Sequence, residues 1–344
     1  MPVDMFETRT MMQALEEMKP PRTFLLDSFF RNSQTFGTEA VDVDIVKGKR
    51  KLAPFVSPLH EGKVVKREGY STETFKPPYL KPKRATRAQN FLQRQPGEAV
   101  YAGSLTPQQR AARELGKDLT ELRESIIRRE EWMASQALTT GKVVVSGDGV
   151  EAEVDFQMDA THLVTLSGTD LWTDAASDPI AKLRAWKRMC AQDSGVAPDR
   201  VIFGASVVDA FFHNAKVKDL LDNRRIEIGT IKPSELPDGV THLGYFADPG
   251  VDIFTYDEWY LDDAGNEQPM VPVDSIIMGS TRAKTVRAYG AIQDVDAIGA
   301  GLFEAQYFPK SWVQQDPSAR FVMVQSAPLV IPTQIGAFMK AKVV

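Results

Sequence analysis

The chain has 344 residues, and its 41 lysines and arginines against 46 aspartates and glutamates give a formal charge of −5 at pH 7. This length allows two or three domains, and an apolar content of 43% is ordinary for a folded protein. The negative balance argues against a dedicated nucleic-acid-binding protein, which is usually basic. The single cysteine, Cys190, excludes an internal disulfide framework and favours a reducing compartment. No apolar run is long enough to cross a membrane, and the first residues lack the basic start of a signal peptide, so we expect a cytoplasmic product.

The first 35 residues predict a short helix followed by an apolar cluster. A helical pattern over Met11–Met18 ends at Pro20 and Pro21. The cluster that follows, which includes Phe29 and Phe30, is too small to fold alone. Two interpretations stay open: a terminal helix docked on the body of the same chain, or an arm that lies across another subunit.

Residues 36–100 predict extended structure with an unusual positive run. Val41–Ile45 alternates as a strand, and further extended segments are expected at 64–68 and 71–75. From Lys76 to Arg94 there is no acid, so this stretch carries about six positive charges. Its prolines exclude a helix, and its few apolar residues cannot fill a core, so we expect an external surface to order it. A solvated face is the usual explanation of such a run, whereas the extended context favours an acidic partner, either protein or phosphate.

The longest helical pattern in the chain lies between Thr106 and Gly141. Thr106 and Gln109 form a Thr-x-x-Gln capping box, Pro107 suits the first helical position, and Gly141 supplies the stop. A helix of this extent would be about 50 Å long at 1.5 Å per residue. Its narrow apolar stripe predicts a strut that packs one face and leaves the other to solvent or to a neighbouring subunit. The stripe comprises Leu115, Leu119, Leu122, Ile126, Met133 and Ala137.

A β-hairpin and a separate α/β domain are predicted after this helix. Segments 142–145 and 150–156 flank a Ser-Gly-Asp-Gly turn. A helix capped by Asp178 and ended by Gly195 then precedes a second helix capped by Ser206. Strands are expected at 200–204, 243–246, 251–256, 258–261, 269–273 and 275–279.

The last 60 or so residues, beyond the α/β domain, predict mainly extended segments because prolines bar a long helix. Strands are expected at 321–325 and 329–331. We expect them to pair with the early strands at 41–46 and 143–156, which would close a discontinuous platform domain.

No pattern of catalytic or metal-binding residues is recognisable. No phosphate-binding loop, dinucleotide fingerprint or nucleophile elbow is present. Cys190 is expected to be a small buried apolar residue, and the aromatic pair Trp259 and Tyr260 is expected in the core. We therefore predict no catalytic, cofactor-binding or metal-binding residues. The histidines, His60, His162, His213 and His242, fall in separate segments without metal-ligand spacing.

Three blocks of sequence resemble one protein family. They begin at Phe29-Phe30-Arg31-Asn32-Ser33, at Val56-Ser57-Pro58, and at Arg287-Ala288-Tyr289-Gly290-Ala291. The second block continues to Lys81-Pro82-Lys83 and the third, which is the most specific, to Gln325-Ser326-Ala327-Pro328-Leu329. In this order they are similar to the major capsid (head) protein of lambda-like tailed bacteriophages, the phage major capsid protein E family.

The resemblance implies an α+β chain with the HK97-like capsid fold. That fold has an N-terminal arm, an extended β-hairpin loop, a peripheral domain with a long spine helix, and an axial α/β domain. The corresponding parts would be 1–35 (arm), 36–49 (peripheral-domain strand), 50–100 (extended loop), 101–160 (spine helix and peripheral hairpin), 161–285 (axial domain) and 286–344 (return to the peripheral domain).

The resemblance also implies a function: self-assembly, through hexamers and pentamers, into the icosahedral head shell that encloses the double-stranded DNA of a tailed phage. Expected protein partners are a scaffold, a portal and a decoration protein, with no membrane and no cofactor. The location would be the virion capsid, and the host cytoplasm during assembly. Lys63 and Lys66 lie in the candidate loop, where some members of this fold form Lys–Asn cross-links, but reliance of the lambda-like group on decoration argues against a cross-link here.

Intersubunit contacts are expected at six positions. The candidate contacts are Lys81, Lys83, Arg84 and Arg87, for charge pairing with acidic groups, and Phe29 and Phe30 in the predicted arm.

Two other function classes stay open. A DNA-binding or packaging-associated structural protein would use the basic run, although the overall acidity disfavours it; an enzyme housed in residues 160–280 would need a site that the sequence does not show.

Overall fold

The computed structural model describes residues 5–19, 21, 23–46, 61, 70–87, 106–147, 149–221, 229–236, 239–262 and 264–344. Within these ranges the helices are α1 (Thr8–Glu17), α2 (Phe24–Phe29), α3 (Pro107–Thr140), α4 (Pro179–Ser194), α5 (Ala205–His213), α6 (Ala215–Leu221) and α7 (Val295–Ala300). The strands are β1 (Ser33–Thr35), β2 (Val41–Val46), β3 (Tyr70–Phe75), β4 (Lys83–Arg87), β5 (Lys142–Gly147), β6 (Val150–Asp155), β7 (Leu163–Thr165), β8 (Arg200–Phe203), β9 (Gly229–Leu236), β10 (Val240–Phe246), β11 (Val251–Tyr256), β12 (Trp259–Leu261), β13 (Glu267–Pro269), β14 (Ser275–Gly279), β15 (Val286–Tyr289), β16 (Phe308–Gln314), β17 (Ala319–Gln325), β18 (Pro328–Ile331) and β19 (Met339–Lys342).

The long helix α3 confirms the sequence prediction at both ends. The Thr106 hydroxyl accepts a hydrogen bond from the Gln109 amide at 3.3 Å, and the Gln109 side chain accepts one from the Thr106 amide at 3.0 Å. Gly141 ends the helix with a φ of 71°, a conformation that glycine adopts without strain. All residues of the predicted stripe are buried. The strut prediction fails for the second half, however, because between Glu130 and Thr139 no side chain is fully exposed.

The α/β domain is built on a seven-stranded sheet in the order β7-β19-β14-β8-β11-β10-β9. Helix α4 begins as predicted, with the Asp178 carboxylate accepting a hydrogen bond from the Ala181 amide at 2.9 Å. The prediction that Ser206 is the N-cap of the next helix is wrong: the N-cap of α5 is Gly204, two residues earlier, and the helix begins at Ala205. A Cβ at Gly204 would lie 2.7 Å from the Val273 carbonyl oxygen, so the chain approaches too closely for a larger capping residue.

The C-terminal strands pair differently from the prediction. β17 lies between β16 and β4, and β18 pairs with β15, which pairs in turn with β1. The predicted partners at 41–46 and 143–156 instead form two separate hairpins, β2–β3 and β5–β6. The last strand, β19, returns to the α/β sheet between β14 and β7. A domain boundary that assigns all of 286–344 to the peripheral domain therefore omits this final crossover.

The beginning of the chain docks on the body of the same subunit. Met11 and Leu15 of α1 are buried in a cluster with Leu119, Ile126 and Val322. This is the first of the two alternatives left open by the sequence, and an arm reaching away from the subunit is not what the structure describes for α1 and α2. Of the predicted extended loop, the segment at 64–68, Lys63, Lys66 and Arg94 lie outside the described residues, whereas β3 and β4 are strands.

Candidate intersubunit surface

Strand β4 places three of the four predicted basic residues, Lys83, Arg84 and Arg87, at the edge of the sheet β16–β17–β4, and Lys81 lies just before the strand. Its alternate residues face opposite sides of that sheet. Thr86 faces α3, because its hydroxyl donates a hydrogen bond to the buried Asp118 carboxylate at 3.4 Å. Lys83, Ala85 and Arg87 therefore point away from the spine helix, and all three are exposed.

The four predicted basic residues thus separate into two groups. Arg84 lies on the inner side, where its guanidinium contacts the Asp118 carboxylate at 3.1 Å and also pairs with Glu121. Burial raises the pKa of Asp118, and the Arg84 guanidinium opposes that shift. Arg84 therefore stabilises its own subunit. Lys81, with its ammonium 4.5 Å from the Tyr79 ring centre, and the outward-facing Lys83 and Arg87 present positive charge to solvent.

Phe29 and Phe30 are interior residues, which corrects their expected role as intersubunit contacts. Their exposed fractions are 2% and 0%. The Phe29 ring packs edge-on against Phe338 with centroids 5.3 Å apart, and Phe30 stacks on the same ring at 6.4 Å. Because α2 fills the core between α3 and the C-terminal strands, neither ring is available to a neighbouring subunit.

Two buried glutamates on α3, which the sequence analysis did not identify, hold the subunit together at this point. The Glu131 carboxylate accepts hydrogen bonds from the amides of Leu25 and Leu26, at 2.7 and 3.0 Å, and from the Tyr256 hydroxyl at 3.0 Å. It thereby caps α2, whose own N-cap residue makes no side-chain cap bond. Burial raises the pKa of Glu131 to about 7, although the hydrogen bonds from these donors act to lower it.

Glu130 links α3 to the C-terminal segment in the same way. Its carboxylate accepts hydrogen bonds from the hydroxyls of Tyr289 at 3.0 Å and Tyr307 at 3.3 Å. Burial raises its pKa to about 7, opposed by the Tyr289 hydrogen bond and the nearby Arg287 charge. A sequence signal existed, because Glu130 occupies the stripe position between Ile126 and Met133 that lacks an apolar residue.

The serine, aspartate and histidine that lie closest together in the α/β domain do not have the geometry of a hydrolase site. Ser206, Asp209 and His213 line one open groove, but Ser206 and His213 are about 10 Å apart along α5 at 1.5 Å per residue. The His213 Nδ1 instead lies 2.8 Å from the Asp209 backbone carbonyl. Cys190 is buried as predicted, and burial raises the pKa of its thiol to about 12, so it stays protonated at neutral pH. In the described ranges no cluster of three or more metal-ligating side chains occurs.

Other histidines and aromatic residues divide between core and surface. His162 is buried with its Nε2 3.0 Å from the Asp193 carboxylate, while His60 lies outside the described residues. Trp259 is 46% exposed, so its expected place in the core is wrong. Tyr260 is half-buried, and its hydroxyl accepts a hydrogen bond from Trp132 at 3.1 Å. None of the helices in the described part of the chain combines the length and apolarity that a bilayer crossing requires.

Comparison with known proteins gives matches over nearly the whole chain. The family model described as phage major capsid protein E matches residues 7–343. The major capsid protein of Escherichia phage lambda is 30% identical over 336 residues, which cover 96% of each chain. That of Enterobacteria phage P21 is 30% identical over 332 residues, covering 95% of this chain and 96% of the relative.

Solved structures agree in fold. The prophage capsid protein of Escherichia coli CFT073 superposes with a TM-score of 0.75 at 24% identity, over 98% of this chain and 99% of that one. A phage-related protein of Bordetella bronchiseptica RB50 superposes with a TM-score of 0.55 at 12% identity, over 97% and 96%. The predicted α+β, HK97-like fold is confirmed, and the chain belongs to the phage major capsid protein E family.

Proposed function

We propose that copies of this chain assemble, as hexamers and pentamers, into the icosahedral head shell of a tailed phage that encloses double-stranded DNA. The family match over residues 7–343 is the observation that carries this proposal, because it includes both the α/β domain and the peripheral elements. A scaffold, a portal and a decoration protein are the expected further partners. The protein would act in the virion, and in the host cytoplasm during assembly.

We propose that the shell is held together by many contacts, each of which is weak. Ordering an extended segment at an interface costs about 1–2 kcal/mol per backbone residue, so each pairwise contact is weak in net terms. A closed shell multiplies the contacts that each subunit makes, and its stability becomes collective. For these contacts we propose that the exposed Lys81, Lys83 and Arg87 pair with acidic groups of a neighbour. The net charge of −5 disfavours tight binding of the subunit to DNA, which suits a container.

We further propose that the role is structural and not catalytic. The curated relatives are named as capsid proteins, and the Ser206, Asp209 and His213 groove lacks the contacts of a nucleophile–base pair. Among the described residues, the positive charge of strand β4 favours a DNA-binding structural protein instead.

Light scattering and negative-stain electron microscopy of the purified protein test the proposal. We expect closed, uniform particles or hexameric and pentameric capsomers. Subunits that remain single at every concentration and salt would contradict it. Tight binding of single subunits to duplex DNA, with affinity that falls steeply as salt rises, would support the DNA-binding alternative.

A further inference from the structure

An acidic hairpin lies between strands β11 and β14 of the α/β domain in the sequence. Between Leu243 and Thr281 the sequence has eight acidic residues and neither lysine nor arginine. Within this stretch β12 and β13 form an antiparallel pair whose register places Leu261 opposite Glu267. Opposed residues share a face. Tyr260, on the other face, is turned towards Trp132 of α3.

The face of this hairpin that points away from α3 is apolar and negative. We name it the outer hairpin face and define it as Trp259, Leu261 and Glu267. Trp259 is 46% exposed, Leu261 is 67% exposed, and the Glu267 side chain is exposed. The exposed Asp257 carboxylate, which accepts a hydrogen bond from the Trp259 indole at 2.8 Å, adds a second negative charge. A tryptophan and a leucine beside carboxylates are a combination that fits a partner with aromatic and basic groups.

The sheet β16–β17–β4 presents such a partner surface. We name its side away from α3 the outer sheet face. Trp312 and Phe321 stack at its centre, with ring centroids 5.4 Å apart and planes 12° apart, and both are half-buried. The Lys83 ammonium lies 5.8 Å from the Phe321 ring centre, and the register pairs Ala85 with Phe321. The outer sheet face comprises Lys83, Ala85, Arg87, Trp312, Phe321 and Met323.

The two faces are too far apart to meet within one subunit. β4 is fixed to α3 at Asp118, through Arg84, whereas the hairpin is fixed to α3 at Trp132, through Tyr260. These two points on α3 are 14 residues apart, about 20 Å along the helix axis. Charges separated by that distance are largely screened at physiological ionic strength, where the Debye length is about 8 Å. Within one subunit the two faces therefore do not serve as each other's complement.

We propose that the outer hairpin face of one copy docks on the outer sheet face of the next copy. Trp259 and Leu261 would pack on the Trp312–Phe321 stack, with Glu267 and Asp257 opposite Lys83 and Arg87. Because the two faces are different, the contact is head-to-tail, the type of contact that forms a closed ring when the rotation between neighbours divides a full turn. The inference rests on the proposed shell function and names the partner of the basic strand.

A charge exchange tests the docking. One variant carries Lys83→Glu and Arg87→Glu, a second carries Asp257→Lys and Glu267→Lys, and a third carries all four changes. We expect each double variant to lose assembled mass by roughly tenfold or more, since like charges at an interface are repulsive. The fourfold variant should recover most of the particles, because its charges are again complementary. Sedimentation measures assembled mass, and circular dichroism confirms folding.

A matched control separates docking from general charge effects. Arg188→Glu with Lys218→Glu makes the same charge change at exposed positions of the α/β domain and should leave assembly unchanged. Normal assembly of the Lys83→Glu/Arg87→Glu variant, or a fourfold variant no better than the double variants, would overturn the docking. If the unsubstituted protein still forms shells, the proposed function survives that result; if it never assembles, the proposed function itself fails.

Cross-linking in otherwise normal particles locates the contact directly. Ala85→Cys combined with Leu261→Cys should give covalent chains of several subunits after treatment with a short thiol cross-linker. The native Cys190 is buried and does not compete. Val313→Cys combined with Leu261→Cys should give single subunits, because Val313, although 54% exposed, follows Trp312 and points to the other side of the sheet. Single subunits from intact Ala85→Cys/Leu261→Cys particles would contradict the docking.

Discussion

The buried carboxylates of Glu130 and Glu131 should make the stability of the subunit depend on pH. We expect the free energy of unfolding of the unsubstituted subunit to fall as pH rises, and this fall to disappear when both residues are replaced by glutamine. Each pKa is raised by burial from 4.5 to about 7 in the folded subunit. Between these two values the folded state binds more protons than the unfolded state, so the free energy of unfolding falls with rising pH.

The expected size of this loss follows from the pKa change. A difference from 4.5 to about 7 corresponds to about 3 kcal/mol for each glutamate, and the two are adjacent, so their effects need not add. The stability is present in full below pH 4.5 and is lost by about pH 7. Carboxyls with lowered pKa, such as Asp274 and Asp294, titrate below the ordinary value of 3.8 and do not contribute to this window.

Urea unfolding of unassembled subunits at pH 5 and pH 8 measures the effect. Glu131→Gln also leaves one of the Leu25 and Leu26 amides without its acceptor, which costs about 1–3 kcal/mol at both pH values. The readout is therefore the difference between the two pH values, which should shrink in the Glu130→Gln/Glu131→Gln variant. Glu124→Gln on the same helix should leave the difference unchanged. An equal pH dependence in the unsubstituted and double-glutamine subunits would refute the reasoning.

Three further predictions concern the stability of the subunit. Arg84→Met should destabilise it by about 1–3 kcal/mol in urea unfolding, because the arginine neutralises a buried carboxylate, whereas Lys83→Met should change it by less than about 0.5 kcal/mol; equal effects would contradict this assignment. Ile126→Ala should cost about 2–5 kcal/mol by leaving a cavity under α3, and an unchanged urea midpoint would show that the stripe is not packed. Gly279→Ala should lower the melting temperature, because a Cβ there would lie 2.6 Å from a ring carbon of Phe338; a melting temperature equal to that of the unsubstituted subunit would refute this close approach.

Local signals in the sequence predicted the elements that depend on neighbouring residues. The capping box at Thr106 and the stop at Gly141 fix α3 through contacts within four residues, so they can be read without the fold. The cap at Asp178 is of the same kind. The prediction of Ser206 as an N-cap failed because the actual N-cap, Gly204, is determined by a contact that is distant in sequence. The Val273 carbonyl oxygen lies so close to Gly204 that a Cβ does not fit there.

Long-range pairing could not be predicted in the same way. β17 alternates as a strand whether its partner is β2 or β4, and only the packed fold selects β4. The aromatic pair Phe29 and Phe30 looked like part of an arm because the ring on which both pack, Phe338, lies some 300 residues later. For the candidate surface, the sequence identified the positive charges, but only the alternation of β4 over α3 separates Arg84 from Lys83 and Arg87.

A cryo-electron-microscopy reconstruction of the purified, assembled protein is the most direct test of the central claim, that copies of this chain build a closed shell. We predict a closed shell whose wall is built from this chain alone, with α3 and the sheet β16–β17–β4 fitting the density of every subunit. Particles with no wall density for this fold, or a protein that yields only separate subunits, would contradict it.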